Sequence, residues 1–73
     1  DGVVFHAATI DAAARIAADL LALTPEGFTV AGFRDATGAS RKFVLPLVSE
    51  LDSRGVTRRR NDVRIAGPRL PVD

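Results

Sequence analysis

A chain of 73 residues, 47% hydrophobic and 26% charged, has room for one small globular domain and lacks the composition of a disordered segment. Without cysteine it can hold neither a disulfide framework nor a cysteine-ligated metal, and a reducing compartment suits it. A net charge of +1 hides an asymmetry: residues 1–40 carry Arg15 and Arg34 against five acids, whereas residues 41–73 carry eight cations against four, so the halves hold −3 and +4.

No apolar run approaches the roughly 18 residues of a membrane span, and the N-terminus has no basic-then-apolar signal pattern. A start at Asp1 rather than methionine reads as a piece of a longer chain. "VVFH" at 3–6 is β-branched and aromatic and predicts a short strand. In "ATIDAAARIAADLLAL", Ile10, Ala13, Ala14, Ala17, Leu20, Leu21 and Ala22 recur at helical spacing, with Thr9 as the expected N-cap and Asp11 in the first turn. Pro25 and Gly27 stop this helix.

"FTVAGFRDATG" predicts a brief extended entry and then a short helix. Thr29 is its N-cap, Val30 and Phe33 turn inward, and Gly38 ends it. "ASRKFVLPLVSELDSRG" predicts a third helix with Ser40 or Ala39 near the cap. Phe43, Leu47 and Leu51 form its apolar stripe, Val44 and Val48 lie beside it, and Gly55 closes it. Pro46 inside that helix predicts a bend or local opening, because it has no N–H for the Lys42 carbonyl.

"VTRRRNDVRIA" then predicts a hairpin. Val56, Arg58 and Arg60 alternate with Thr57 and Arg59, Asn61-Asp62 form the turn, and Val63 and Ile65 lie on the returning strand. "GPRLPVD" at 67–73 lacks periodicity and is expected to fray, leaving residues 1–66 as the domain. The order of elements is that of an α+β winged helix, a three-helix helix-turn-helix unit with a C-terminal β-hairpin wing. Arg41 and Lys42 then stand at the probing end of the third helix, where free N–H groups and the dipole disfavour cations by a few tenths of a kcal/mol (about 0.3) and favour an anion.

The stretch from Phe28 to Ile65 carries "FRD" at 33–35, Gly38, "SRK" at 40–42, "LPL" at 45–47, Glu50, Asp52, Gly55, "TRR" at 57–59, Asp62 and Arg64. In these residues and their spacing, about half the chain resembles the last winged-helix domain of the bacterial selenocysteine-specific elongation factor family, SelB. Phe43 departs from the tyrosine common there, and Arg60 and Asn61 replace an apolar residue and a glycine. Residues 1–27 match in pattern alone.

The resemblance implies an RNA-binding module that grips the tip of the selenocysteine insertion hairpin in mRNA, tethering a translational GTPase that delivers selenocysteinyl-tRNA for UGA recoding. The GTPase motifs are absent here, and the Asp, Glu and Ser residues show no catalytic spacing, so no enzyme is expected. The implied partners are the mRNA hairpin and other domains of the same factor. The chain is expected to be monomeric and cytoplasmic, with no cofactor and no membrane contact.

The expected RNA-binding residues are Arg34, Gly38, Ser40, Arg41, Lys42, Arg58, Arg59 and Arg60. Arg41 and Lys42 are assigned to phosphate, and the backbone at Gly38 to close approach by an unstacked base. Arg34 could reach the ligand or pair with an acid. Ser40 is first a cap. Strand alternation cannot aim three consecutive arginines at one ligand, so Arg59 leads. Asp35 cannot favour a phosphate and is expected to orient Arg41 or Arg58.

His6, the single histidine, makes no metal site and is expected to be structural or exposed. Phe5, Phe28, Phe33 and Phe43 all fit core positions, which leaves base stacking minor. Two other readings stay open. One is duplex DNA binding, which the acids Glu50 and Asp52 along the third helix disfavour. The other is a protein-interaction winged helix within a larger assembly.

Overall fold

The computed structural model describes residues 5–71, and the order is α1 (Ala7–Leu23), α2 (Val30–Thr37), α3 (Arg41–Ser53), β1 (Thr57–Arg60) and β2 (Val63–Ala66). The α+β winged-helix expectation holds: three helices carry a two-stranded antiparallel sheet. No helix among the described residues is long and apolar enough to cross a membrane.

α1 forms from a run of strong helix formers and buries Ile10, Ala13, Ala14, Ala17 and Leu21 on one face. Three alanines in that face let α2 and α3 approach closely, and the larger side chains opposite fill the space: Phe33 from α2, and Val44, Leu47, Val48 and Leu51 from α3. Leu20 is half-buried and Ala22 is exposed, at the edge of the expected stripe. The helix starts earlier than expected. His6, not Thr9, is the N-cap residue, and its carbonyl accepts from the Thr9 and Ile10 N–H groups. Ala7 and Ala8 extend the helix backwards at no propensity cost, so Asp11 falls beyond the first turn.

The strand expected over 3–6 is not formed at Phe5 and His6, while Val3 and Val4 lie outside the described residues. Phe5 instead sets its ring edge-on to Phe43 at 5.3 Å.

The wing is anchored by more than its own turn. Phe28 and Arg64 exchange two backbone hydrogen bonds, 3.0 and 2.8 Å, so the α1–α2 connection adds a one-residue bridge to β2. Gly27, at φ 124°, lets the backbone come this close. A Cβ there would lie 2.7 Å from Val63 Cγ2 and 2.9 Å from the Arg64 carbonyl oxygen. Gly27→Ala is therefore expected to cost about 1–3 kcal/mol by urea denaturation and to speed amide exchange at Phe28 and Arg64.

At the far end of the wing, Asn61 takes the left-handed conformation, φ 55°, that the two-residue turn needs. The segment after the wing, expected to fray, is tied back over residues 67–71: the Gly67 N–H donates to the Val56 carbonyl and the Arg69 N–H to the Gly55 carbonyl. Leu70 packs against the core, an apolar anchor that the lack of periodicity concealed.

Candidate nucleic-acid interface

The helix-turn-helix is built by two contrasting caps. At α2 the Thr29 hydroxyl accepts from the Gly32 N–H at 3.0 Å, closing that end as expected. Gly38 ends α2 in the left-handed region, φ 71°, donating its N–H to the Arg34 carbonyl at 2.8 Å. The Thr37 hydroxyl, not that of Ser40, then steadies the turn by accepting from the Ala39 N–H at 3.2 Å.

Ser40 is the N-cap residue of α3 by backbone conformation, but its side chain makes no cap bond. Its carbonyl accepts from the Phe43 and Val44 N–H groups, so the first two N–H groups of α3, at Arg41 and Lys42, have no helical acceptor. No acid lies in this first turn. The result is an exposed helix mouth with open donors and two cations, where the dipole and the side chains favour the same anionic guest.

Arg34 joins this mouth from α2. It lines, with Val30, Ala31 and Arg41, a cleft of about 200 Å³ between the two helices. Among the described residues neither Arg34, Arg41 nor Lys42 forms an ion pair. Two guanidinium groups bordering one cleft with no protein carboxylate between them favour an anion there. Asp35 does not fill that need. It is exposed, and the pairing expected for it with Arg41 or Arg58 is not formed.

Phe43 follows the cationic pair. It is 43% exposed rather than part of the core, because Val44, Leu47, Val48 and Leu51 supply the buried stripe and turn position 43 to its edge. Leu45, on another face of the helix, is also exposed. α3 continues unbroken across Pro46, one hydrogen bond short, since a proline there has no N–H for the Lys42 carbonyl. Gly55, at φ 80°, closes α3, donating to the Asp52 carbonyl.

In the wing the register sets Arg58 opposite Ile65, Arg59 opposite Arg64 and Arg60 opposite Val63. Arg58, Arg59 and Arg60 are all exposed, with Arg59 on one face and the other two on the opposite one. The Arg59 Nε donates to the Asn61 carbonyl at 3.3 Å, holding its stem along the turn.

The acids of α3 that argue against polyanion binding are neutralised by neighbours. Glu50 accepts from Arg54 Nε at 2.7 Å, and Asp52 accepts from Thr57 Oγ1 at 2.6 Å and from Arg64 Nε at 2.9 Å. Sequence reading missed this last cluster. Its signal was there: a two-residue turn at Asn61-Asp62 sets Thr57 and Arg64 on one face of the hairpin, and Asp52 stands in the last turn of α3.

A helix-turn-helix with an open cationic mouth, followed by a basic two-stranded wing, defines a winged helix. The family model "Elongation factor SelB, winged helix" matches residues 19–66, and the chain belongs to that family. Among solved structures it is similar to the mRNA-binding domain of elongation factor SelB from E. coli in complex with SECIS RNA, with a TM-score of 0.78 and 27% identity. The alignment covers 86% of this chain and 51% of that one, so this chain spans about half the length of its solved relative. No curated protein matches it by sequence.

Proposed function

We propose that this chain is the RNA-gripping unit of a SelB-type elongation factor, binding the tip of a selenocysteine insertion hairpin in mRNA. The observation that carries the reading is the α3 mouth, where Arg41 and Lys42 flank open N–H groups and Arg34 borders the same cleft with no protein anion between them. A phosphate of a sharply turned RNA loop supplies the missing charge, and the left-handed turn at Gly38, free of any side chain, gives the backbone room to meet a splayed nucleotide. Ser40, whose hydroxyl makes no cap bond, is available as a further donor to that phosphate.

The wing adds Arg58, Arg59 and Arg60 to the RNA-binding set. Because adjacent strand residues face opposite ways, Arg59 and its neighbours reach different backbone segments. Phe43, exposed at the mouth, offers an apolar edge to an unstacked base.

Residues 1–66 are the binding unit in this reading. The solved relative's SECIS RNA complex supports the same partner for this chain. The longer factor's other domains, a GTPase that delivers selenocysteinyl-tRNA in the cytoplasm, supply the chemistry, and this unit supplies attachment to the message.

Hydroxyl-radical footprinting of a selenocysteine insertion hairpin checks the reading. Protection is expected at the loop nucleotides and the pairs that close them. Protection spread evenly along the stem contradicts it and indicates duplex binding.

A further inference from the structure

We infer that Asp52 is the positioning residue of the wing. Its carboxylate ties both strands of the hairpin to the last turn of α3 and so aims the wing arginines at RNA. The inference rests on the RNA-binding reading above.

The geometry is a two-handed grip. Thr57 opens β1 and donates its hydroxyl to Asp52 Oδ1 at 2.6 Å, while Arg64 in β2 donates Nε to Asp52 Oδ2 at 2.9 Å. In the register Thr57 opposes Ala66 and Arg59 opposes Arg64, which makes Thr57 and Arg64 diagonal neighbours on one face. Thr57 is 1% exposed, so its hydroxyl has a single buried place to go. Among the described residues these two bonds are the side-chain hydrogen bonds joining α3 to the wing.

A two-stranded hairpin is at best marginally stable by itself, so the direction of its outer half is set by what holds its base. The Phe28–Arg64 bridge fixes one edge, and Asp52 fixes the face turned to α3.

Asp52 also sorts the arginines. Arg59 and Arg64 are directly opposed across the ladder, an arrangement of like charges that repels. By engaging Arg64, half-buried with it, the carboxylate makes that cation structural and leaves Arg59 as the exposed, uncompensated one. An acid in a basic wing thus serves RNA binding, although its own charge opposes it.

That opposition gives the test its sign. Bulk electrostatics predicts that Asp52→Asn tightens RNA binding, since an acid is lost. Positioning predicts the reverse. Binding to a selenocysteine insertion hairpin is measured, with melting as the check of folding, for the unaltered chain, Asp52→Asn, a variant with Arg58, Arg59 and Arg60 all changed to alanine, and the combination.

The expected result is a loss on the order of tenfold for Asp52→Asn alone and less than about twofold further in the wing-stripped background. Unchanged or tighter binding by Asp52→Asn overturns the inference, and so does an equal tenfold loss in both backgrounds, which would place its effect on the fold or the α3 mouth. If Asp52→Asn does not fold, Thr57→Val, which removes the other donor at similar volume, carries the same expectations. Failure of the unaltered chain to prefer the hairpin over a loop-scrambled one overturns the RNA reading itself, a result distinct from any seen with Asp52.

Discussion

Changing Arg41 and Lys42 together to alanine is expected to weaken hairpin binding on the order of 100-fold at low salt while leaving the domain as stable as before. The size follows from losing two charge-assisted contacts at about 1.5 kcal/mol each. The salt dependence should fall with it, by about 1.4 in the slope of log K against log salt for two single-stranded phosphates. Stability moves the other way if it moves at all. Both residues are exposed, and at this helix end the dipole disfavours cations, so alanine relieves a conflict worth about 0.3 kcal/mol each. Titration of hairpin binding beside a thermal melt separates the two effects. Equal affinity for variant and unaltered chain contradicts the helix-mouth site, and a collapsed melt contradicts its being a surface feature.

The second large effect lies in the core. Phe33 is fully buried, and its ring stacks on Phe28 with centroids 5.5 Å apart and planes 23° off parallel. Phe33→Ala is expected to cost about 3–5 kcal/mol in chemical denaturation. In a domain this small that is a large share of a total stability of about 5–15 kcal/mol. The loss reaches the site as well. Phe33 seats α2 against α1 and α3, and its neighbour Arg34 borders the cleft shared with Arg41. A loss below about 1 kcal/mol contradicts the packing described.

Helix positions were legible wherever periodicity or punctuation was strong. The helical spacing of Ile10, Ala13, Ala14, Ala17 and Leu21 in α1, the Thr29 cap, and the glycines at 27, 38 and 55 each state a local rule that the structure follows. The start of α1 was misread because Thr9 has the better capping side chain, while the helix begins at His6 through its carbonyl alone. Phe43 was misread because helical spacing places it on the stripe's edge, and packing against α1 decides which edge is covered. The hydrogen bonds that tie Gly67 and Arg69 back to Val56 and Gly55 leave no local pattern in the sequence.

The site divides along the same line. Arg41 and Lys42 could be found from sequence because their position relative to a helix end is local information. The convergence of Arg34 on Arg41 depends on how α2 packs on α3. The engagement of Asp52 by Thr57 and Arg64 depends on the wing folding back over α3, and its two partners sit 5 and 12 residues away in sequence. For Asp35, a carboxylate that cannot favour a phosphate suggests a supporting bond to Arg41 or Arg58, but its exposed place on α2 gives it no such ion pair among the described residues.

The most direct test of the account is a salt titration of binding to three ligands: a native selenocysteine insertion hairpin, a hairpin of equal length with its loop scrambled, and a duplex DNA. The account predicts tight binding to the native hairpin alone, weakening as salt rises with the slope of several phosphate contacts. Equal, weak binding to all three would contradict it, leaving a basic winged helix whose partner is not an RNA loop.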